Sequence, residues 1–512
     1  YCVRCVATMY VDTAKSVRNG KTYVRHLLRE SYRENGRVKH RTVANLSSCS
    51  QEEIEAIRLA LKHKGDLSRL TPASEIKARS GIRVGAVFFL KEIAKRTGLI
   101  RVLGSQRNGK LALWQIFARL IGQGSRLSAV RLAERHAACD QLGLDAFNEE
   151  HLYENLSWLA GNQEKIEKRL FDCLHKSGVP RLFLYDVTSS YFEGVKNELA
   201  AFGYNRDKKS GKMQVVIGLM TDEDGRPVSA RVFEGNTKDN KTVAAQIRLL
   251  AKTFRVENVV FVGDRGMIKQ AQIDEVDEEK YNYITAITKP QIEKLIRTGI
   301  FQLRLFDDRI CEVEDNGVRY VLHRNAHRAE EIGRNRESKF KKLETRLKEK
   351  NRYLREHPRA TVEVATKDIV SMVKKYKFHE WVKVKSEERT LHLEVDEDAR
   401  SKKYRLDGCY AIKTDLKDST IGAEIIHNRY KDLAKVEHAF RTIKSGHLEV
   451  RPIFLRKEDR TKGHVFVVML AYLLEKEIYR YWEELEVTIS EGLDELGSVR
   501  ATEIEIGKVK CQ

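Results

Sequence analysis

The sequence predicts an α/β fold in which helices flank a mixed sheet, and three observations lead to this class. Segments typical of strands and helices follow one another closely between residues 179 and 290. Two of the strand segments carry an acid, Asp186 inside an apolar run and Asp264 where another apolar run ends. A helix with a polar face follows much later, near residue 430.

The segments between residues 179 and 290 predict three strands, a helix, a strand, a helix and a strand. The runs that predict the five strands and the first helix are, in order, LFLYDV, MQVVIGLM, PVSARVFEG, the helical NKTVAAQIRLLAKTFR, VENVVFVG and YNYITAIT. A DEDG turn at residues 222–225 joins the second and third strands as a hairpin. With an acid on the first strand and another at the end of the fourth, this order predicts a ribonuclease-H-like fold. That fold needs a helix carrying a third acid.

The third acid lies in RYKDLAKVEHAFRTIKSGHLEVRPIF, which predicts one helix. Tyr430, Glu437 and Lys444 are seven residues apart, so at about 100° per residue they lie within roughly 40° of one another on one face. An adjoining apolar stripe would anchor this helix on a core and consists of Leu433, Val436, Phe440 and Ile443.

Asp186, Asp264 and Glu437 together indicate a two-metal site that acts on phosphodiesters. Each divalent ion needs hard oxygen ligands, and two ions must be bridged. Asp186 is the most informative acid, because a carboxylate inside a buried strand is costly unless ions or donors pair with it. Taken singly, the acids have ordinary alternatives, namely a surface Glu or an Asp that forms a turn or a cap. The nearby His438, His447 and His464 are interpreted as structural or DNA-contacting, because Mg²⁺ favours oxygen.

More than a hundred residues interrupt the strands and the helix that carries Glu437. Residues 328–356 are extremely charged, which favours a solvated or coiled-coil-like helical hairpin over an arm that contacts DNA. The narrow apolar stripe of that hairpin consists of Phe340, Leu343, Leu347 and Leu354. Residues 381–414 alternate enough to predict strands.

Near the N-terminus, Asn35-Gly36 lies between two β-compatible runs and predicts a hairpin over residues 21–46. One side of this hairpin is expected to be rich in basic residues, namely Arg25, Arg29, Arg33, Arg37, Lys39 and Arg41. A solvated face and a DNA-contacting face are equally good interpretations of this side. Ser50 to Glu53 predicts a capping box that opens a mostly helical stretch to about residue 178. Its helical periods lie at residues 84–96, 111–122, 127–138 and 165–175.

The composition indicates a polyanionic partner, with nucleic acid first. In 512 residues, 94 Lys and Arg outnumber 74 Asp and Glu, for a formal net charge of +20. The apolar run VFVVMLAYLL, residues 465–474, is too short to span a bilayer and predicts a buried helix. Eight scattered cysteines indicate reduced thiols in a cytosol. The pair Cys2 and Cys5 has no matching second half of a zinc site, and we interpret the residues before Met9 as an upstream extension.

These motifs resemble bacterial insertion-sequence DDE transposases of the superfamily marked by the YREK signature, Y-x2-R-x3-E-x6-K. The chain is most similar to the IS1634-like branch, which has an N-terminal basic hairpin. The resemblance covers about Met9 to Glu484, and its most specific portions are LYDVTSSYFEG, GKMQVVIGLMTDEDGRPVSARVFEGNTKD, VGDRGMI and residues 430–474. It implies that Asp186, Asp264 and Glu437 are a DDE triad that holds two Mg²⁺ ions, with Mn²⁺ able to substitute.

The resemblance also implies DNA-binding residues. Tyr430 and Lys444 match the signature, whereas its Arg position is Leu433 here. Arg441 lies about 20° from Tyr430 on the same helical wheel and could replace that arginine. Arg265, beside the second acid, is a further DNA-binding candidate.

The implied fold is a ribonuclease-H-like catalytic core, interrupted by an insertion domain and preceded by a basic β-hairpin and a helical DNA-binding region. The expected division is 1–48 basic hairpin region, 49–178 helical DNA-binding region, 179–290 first part of the core, 291–415 insertion domain, 416–485 second part of the core and 486–512 C-terminal tail. The implied partners are double-stranded DNA, as terminal inverted repeats and as target, and a second copy of the chain in a synaptic homodimer. No membrane partner is expected. The expected location is the bacterial or archaeal cytoplasm, at the nucleoid.

The predicted function is a DNA transposase that binds the terminal inverted repeats of its insertion sequence and catalyses metal-dependent cleavage and strand transfer. One alternative is a catalytically silent, transposase-derived DNA-binding protein or repressor, against which the three intact acids argue. Another is a stand-alone, structure-selective nuclease, which the large N-terminal helical region disfavours because it indicates recognition of a specific sequence. Inverted repeats flanking the gene would favour the transposase over both alternatives.

Overall fold

The computed structural model describes most of the chain. The described residues are 8–65, 76–176, 178–206, 209–257, 259–265, 267–268, 273, 281–306, 309–450, 453–506 and 509–511. The chain forms two compact units, Tyr1–Arg83 with Val499–Gln512, and Val84–Ser498. The predicted features at Cys2 and Cys5 lie outside the described residues.

The first unit begins with a three-stranded antiparallel sheet of β1 (Thr8–Arg18), β2 (Lys21–Glu34) and β3 (Arg37–Asn45). The predicted hairpin is confirmed, because Glu34 pairs with Arg37 across an Asn35-Gly36 turn whose residues both have positive φ. A second turn of the same type, at residues 19–20, joins β1 to β2.

The prediction that six basic residues share one side of this hairpin is wrong. Arg37, Lys39 and Arg41 stand opposite Glu34, Tyr32 and Glu30 in the register, so they lie on the face of the even-numbered residues of β2. The odd-numbered Arg25, Arg29 and Arg33 point to the other face, because side chains alternate along a strand. Acids also pair with three of the six: Lys39 with Glu34, Arg41 with Glu30 and Arg29 with Asp12.

The rest of the first unit contains one helix and a second sheet. Helix α1 (Gln51–Lys62) begins with the predicted capping box, in which Ser50 and Glu53 bond reciprocally. Strands β4 (Ile76–Arg83), β15 (Arg500–Ile506) and β16 (Val509–Cys511) form an antiparallel sheet in the order β16-β15-β4. Residues 486–512, expected as a tail, therefore include two strands of this sheet.

The second unit opens with six helices. They are α2 (Gly85–Arg96), α3 (Leu99–Leu103), α4 (Arg107–Gly122), α5 (Arg126–Arg135), α6 (Ala138–Leu142) and α7 (Glu149–Leu174). Of these, α2, α4, α5 and α7 overlap the four predicted helical periods, whereas the short α3 and α6 were not predicted. A late helix, α15 (Glu458–Trp482), packs against α4 and α7 in one apolar core. The helices between residues 84 and 178 thus share a core with the predicted catalytic region.

An eight-stranded mixed sheet forms the centre of this unit, and its order is β10-β11-β14-β9-β8-β5-β6-β7. The strands are β5 (Leu182–Tyr191), β6 (Gln214–Asp222), β7 (Pro227–Glu234), β8 (Val260–Gly263), β9 (Asn282–Ala286), β10 (Cys311–Asp315), β11 (Val318–Arg324) and β14 (Cys409–Thr414). All five predicted core strands and the β6–β7 hairpin are confirmed. The predicted helix between β8 and β9 falls mainly outside the described residues. The α/β class with a ribonuclease-H-like core is confirmed.

Both faces of this sheet are covered. Phe183, Tyr185 and Val187 of β5 pack with α8 (Asp239–Arg248) and the π-helical turn Leu249–Phe254 that follows it. Leu182 and Leu184 of β5 point to the opposite face, into the core that contains α4, α7 and α15. Even-numbered residues of β5 therefore face the side of the sheet on which α15 packs.

The predicted interruption divides into two parts. Strands β10, β11 and β14, although within residues 291–415, extend the central sheet. A separate core, which includes Leu343, Leu354 and Trp381, lies within residues 326–404. Its elements are α10 (Ala326–Glu356), α11 (Val362–Lys375), β12 (Val382–Glu387), β13 (Thr390–Val395) and α12 (Glu397–Tyr404). The prediction of a helical hairpin within residues 328–356 is wrong, because this segment is the single helix α10 and its antiparallel partner α11 lies beyond it. Residues 397–404, expected as strand, form α12.

The remaining helices are α9 (Lys289–Arg297), α13 (Ala423–Lys431), α14 (Leu433–Ser445) and α16 (Ile489–Leu496). Short 3-10 turns occur at Leu303–Leu305 and Glu483–Leu485. The single helix predicted around residue 430 is in fact two helices, α13 and α14, which meet at Asp432. None of the helices in the described ranges is long and apolar enough to cross a membrane.

Candidate active site at the ends of two parallel strands

The pairing of β5 with β8 brings the first two predicted acids to neighbouring positions. These strands are parallel, and their register runs from Leu182 opposite Val260 to Tyr185 opposite Gly263. The next residues are Asp186 and Asp264. Neighbouring strands lie about 4.8 Å apart, so both acids lie at the same place on adjacent strands of the sheet.

Asp186 lies in a dense, negatively charged environment. Its Oδ1 accepts a hydrogen bond from the backbone N–H of Val187 at 2.7 Å. Burial, with smaller contributions from the charges of Asp264 and Glu437, raises the pKa of its carboxyl to about 7, while the Val187 hydrogen bond and the charge of Arg206 act in the opposite direction. Asp264 and Glu437 thus both contribute to the electrostatic environment of Asp186.

Helix α14 places Glu437 over the same face of β5 as Asp186. Its predicted apolar stripe is confirmed as buried and consists of Leu433, Val436, Phe440 and Ile443. Lys444 Nζ donates a hydrogen bond to Thr188 Oγ1 at 2.9 Å. Thr188 lies two residues beyond Asp186, on the same face of β5. Glu437 is exposed, two turns before Lys444 on this helix.

Tyr430 contacts the second acid from the end of α13. Its hydroxyl donates to Asp264 Oδ1 at 3.3 Å, and burial, followed by the charge of Asp264, raises the pKa of this phenol. Glu437 therefore lies in sequence between two anchored residues, Tyr430 at Asp264 and Lys444 at Thr188. Although α13 ends before Asp432 and α14 begins after it, Tyr430 still lies beside Asp264.

The predicted DNA-binding cations occupy the same region. Arg265 is exposed beside Asp264, and its charge partly counters the shift of the Tyr430 pKa. Arg441 is exposed on α14. Sequence reasoning missed Arg206, which binds both carboxylate oxygens of Asp239 at 2.6 Å and lowers the pKa of Asp186. The only feature of the sequence that could have indicated Arg206 is its position in the basic loop between β5 and β6.

The donor set fits a hard cation in its chemistry, since three carboxylates offer only oxygen ligands. Burial disfavours the ionised form of Asp186, and the charge of Arg206 offsets this effect only in part. Within the described ranges, no three His, Cys, Asp or Glu side chains are grouped closely enough to hold a metal ion.

The nearby histidines occupy structural positions or the surface. Buried His464 accepts a hydrogen bond at Nδ1 from Arg126 at 2.8 Å and donates from Nε2 to the carbonyl of Val450 at 3.3 Å. Burial lowers the pKa of His464 well below its usual value, so the ring is neutral. Gln123 bonds to His447, and His438 is exposed.

The comparison with protein families decides the assignment. Residues 177–474, which contain β5, β8, α14 and most of α15, match the family described as transposase DDE domain. The chain belongs to the DDE transposases. Residues 11–74 of this transposase also match the N-terminal domain of the IS1634 family transposases. Both matches confirm the predicted family, an insertion-sequence DDE transposase of the IS1634 type.

Two solved structures show distant likenesses to the transposase. One is the cryo-EM structure of the piggyBac transposase synaptic complex with hairpin DNA, with a TM-score of 0.36 and 8% identity over 76% of this chain and 69% of that chain. The other is the Mos1 transposase paired-end complex with left transposon end, with a TM-score of 0.16 and 12% identity over 29% of this chain and 52% of that chain. At these TM-scores neither structure supports a conclusion about this transposase. No curated protein matches the sequence.

Substitution of Asp186 by asparagine should stabilise the metal-free transposase above pH 7. The folded pKa of about 7 exceeds the ordinary value of 3.8, so the native state binds more protons between these values and loses stability as pH rises through them. The amide removes this penalty, by roughly 2 to 4 kcal/mol at pH 8 and by almost nothing below pH 4. Melting temperatures measured with chelator across this range test the prediction.

The matched control for this experiment is Glu424→Gln, which neutralises an exposed acid on α13. Its melting temperature should follow that of the unmodified protein at every pH. An Asp186→Asn variant that melts at the same temperature as the unmodified protein at pH 8 would contradict the inferred desolvation.

Proposed function

We propose that this transposase cuts DNA at the terminal inverted repeats of its own insertion sequence and joins the freed 3′ hydroxyls to target DNA. The observation that carries the proposal is the alignment of Asp186 with Asp264 on adjacent parallel strands, with helix α14 packed over the same face of β5. The β5–β8 register aligns Asp186 with Asp264, and the charges of Asp264 and Glu437 both raise the pKa of Asp186. We assign these three residues as the catalytic DDE triad.

The proposed cofactor is a pair of Mg²⁺ ions, with Mn²⁺ able to substitute, and Asp186, Asp264 and Glu437 would hold them. DDE transposase domains generally use divalent metal ions. When bound, such ions activate the attacking oxygen and stabilise the leaving oxygen of the phosphodiester. Cation binding would also relieve the repulsion among the carboxylates.

The side chains of this site have separable tasks in the proposed reaction. The Tyr430 hydroxyl holds the Asp264 carboxylate in place through its hydrogen bond. Asp186 must lose its proton before it can serve as a ligand, so cleavage should weaken below about pH 7. Lys444, Arg441 and Arg265 would bind the phosphate backbone of the strand that is cut.

The proposed partners are double-stranded DNA and a second copy of the chain. Synapsis of two element ends accounts for a homodimer, and the basic N-terminal hairpin region and the helices up to residue 178 would recognise the repeats. The domain division predicted from sequence is kept as a proposal with three changes. Strands β10, β11 and β14 belong to the central sheet, the helices between residues 84 and 178 share a core with α15, and β15 and β16 form a sheet with β4. The proposed setting is the nucleoid of a bacterial or archaeal cytoplasm.

The direct test is an assay of the full chain on DNA that carries the inverted repeats flanking its gene, with Mg²⁺ present. We expect cleavage at the repeat ends and transfer of the 3′ hydroxyls to a second duplex. Binding to the repeats without any cleavage would support a silent DNA-binding protein instead. Cleavage without preference for the repeats would support a structure-selective nuclease.

Substitution of Arg441 by alanine should lower cleavage by one to two orders of magnitude. Leu433 occupies the signature's arginine position, but it is buried in the apolar stripe and cannot contact phosphate. Arg441 is exposed on the same helix, and a guanidinium there could bind a phosphate bidentately. The expected loss corresponds to roughly 1.4 to 2.7 kcal/mol of transition-state stabilisation.

The measurement for Arg441→Ala is the cleavage rate at saturating enzyme, with the melting temperature of each variant. Leu433→Ala is the comparison and should act mainly through stability, because it removes a buried side chain. A normal cleavage rate in Arg441→Ala would assign the phosphate contact to Lys444 or to a group outside α14.

A further inference from the structure

A cavity of about 350 Å³ lies among the turn between α4 and α5, helix α7 and the segment that follows α14. Its lining includes two arginines, Arg119 at the end of α4 and Arg126 at the start of α5, together with Tyr153, Glu449 and Phe454. None of these five residues belongs to the DDE site described above.

Both arginines are buried, and no carboxylate in the described ranges forms an ion pair with either of them. Each is 6% exposed. Arg119 donates to the carbonyls of Gln123 at 2.9 Å and Gly124 at 3.3 Å, while its buried Nε has no hydrogen-bond partner among the residues that the structure describes. Arg126 donates to the neutral ring of His464.

Two positive charges therefore face one small cavity. Burial lowers the pKa of Arg119 to about 10 and that of Arg126 to about 9, and the charge of Arg119 adds to the second shift. Both guanidinium groups remain protonated at neutral pH. Glu449, whose charge acts on Arg119, offsets them only in part. Buried, unpaired charge of this kind is costly for the folded state alone, which points to an anion as the missing partner.

We propose that this cavity binds a phosphate group of a DNA strand, a contact that rests on the proposed function of the transposase. A phosphate would supply the acceptor that Arg119 Nε lacks and would pair with the planar donors of Arg126. Phe454, which is 71% exposed at the same cavity, offers an apolar surface to the adjoining sugar or base.

The position of the cavity relative to β5 suits a strand that also enters the DDE site. The backbone N–H of Ile453, next to Phe454, donates to the carbonyl of Tyr191 at 3.3 Å. Tyr191 ends β5, five residues beyond Asp186, or about 17 Å along the strand. DNA would span that separation in about five base-pair steps. The bound phosphate would therefore lie a few nucleotides from the cleaved bond.

The first test measures inorganic phosphate binding to the full chain by its melting temperature, against sodium chloride at equal ionic strength. Phosphate should raise the melting temperature of the unmodified protein and of Arg131→Gln, an exposed arginine on α5. The shift should be lost in Arg119→Gln and in Arg126→Gln, and Arg126→Lys should retain part of it. No phosphate-specific shift in the unmodified protein, or an undiminished shift in both glutamine variants, would overturn the proposal.

The second test measures affinity for duplex DNA carrying the element ends, as a function of salt. Arg126→Gln should weaken binding about five- to tenfold and reduce the salt slope by about one, whereas Arg131→Gln should change neither. A phosphate shift with an unchanged DNA slope would mean an anion site that does not hold DNA, and would overturn the assignment of the ligand. Because the phosphate test needs no cleavage, an inactive chain that still shows the shift would contradict the proposed function without contradicting the site.

Discussion

Replacement of Asp186, Asp264 or Glu437 by alanine should abolish DNA cleavage and strand transfer, with rate losses on the order of a thousandfold or more, at least ~4 kcal/mol of transition-state stabilisation. In the proposed mechanism each residue supplies oxygen ligands to the metal ions, and alanine offers none. DNA affinity should stay within a few-fold, because the acids repel phosphate and contribute little to binding. The measurements are single-turnover cleavage with Mg²⁺ and a binding titration on the element ends.

Two controls separate catalysis from folding in this series. A chelator should reproduce the loss in the unmodified protein, and Glu424→Gln, an exposed acid on α13, should cleave normally. Asp186→Asn should be inactive although it is expected to be the more stable protein above pH 7. Any one of the three alanine variants that cleaves at a near-normal rate removes its residue from the triad.

Substitution of Gly463 by alanine should destabilise the second unit by about 2 to 4 kcal/mol and strongly reduce cleavage. Gly463 lies where α15 contacts α7, and a Cβ there would be 2.1 Å from the carbonyl oxygen of Leu156 and 2.7 Å from its carbonyl carbon. Those atoms are backbone, so the two helices must move apart. Helix α15 packs against α14, and the displacement would therefore disturb Glu437.

Gly161→Ala provides the matched control for this prediction. Gly161 lies on α7 of the same helix pair, and its Cβ would meet nothing within 4 Å. Alanine there should stabilise the protein by about 0.5 to 1 kcal/mol through helix propensity. Chemical denaturation of both variants measures the difference. Equal stability of Gly463→Ala and the unmodified protein would mean that α7 and α15 can separate without cost.

The packing of α15 on α4 and α7 determines which form of the protein is suitable for testing DNA recognition. Residues 49–178 were expected to form a DNA-binding region, but helices α4 and α7 complete their core with α15. A fragment that ends at residue 178 would expose this apolar surface to water. Recognition of the repeats should therefore be measured with point variants of the full chain.

Local sequence signals predicted much of the site and the fold. The apolar run around Asp186 predicted a buried strand, and the end of another run located Asp264, because both signals depend on residues a few positions apart. Turn chemistry at Asn35-Gly36 likewise predicted the hairpin. The apolar stripe of Leu433, Val436, Phe440 and Ile443 predicted which side of α14 is buried.

Other features depend on contacts between residues far apart in sequence. The register of β3 on β2 divided the basic residues between two faces, because Glu34 pairs with Arg37 across the turn. Strands β10, β11 and β14 extend the central sheet because β14 pairs with the edge of β9. The sequences of these three strands alone do not indicate that pairing. The sequence did not predict that Arg119 and Arg126 line one cavity, because this arrangement depends on the packing of α4 and α5 against α7.

The sequence by itself therefore determined the residue types of the site, the elements that carry them and the family of the transposase. Only the tertiary structure decided that Asp186 and Asp264 are aligned on parallel strands, that the helix α14 carrying Glu437 packs over β5, and that two arginines share a cavity. The physical reason is range. Periodicity and turn chemistry act between near neighbours along the chain, whereas burial, pKa and charge pairing depend on every group that packing brings within a few ångströms.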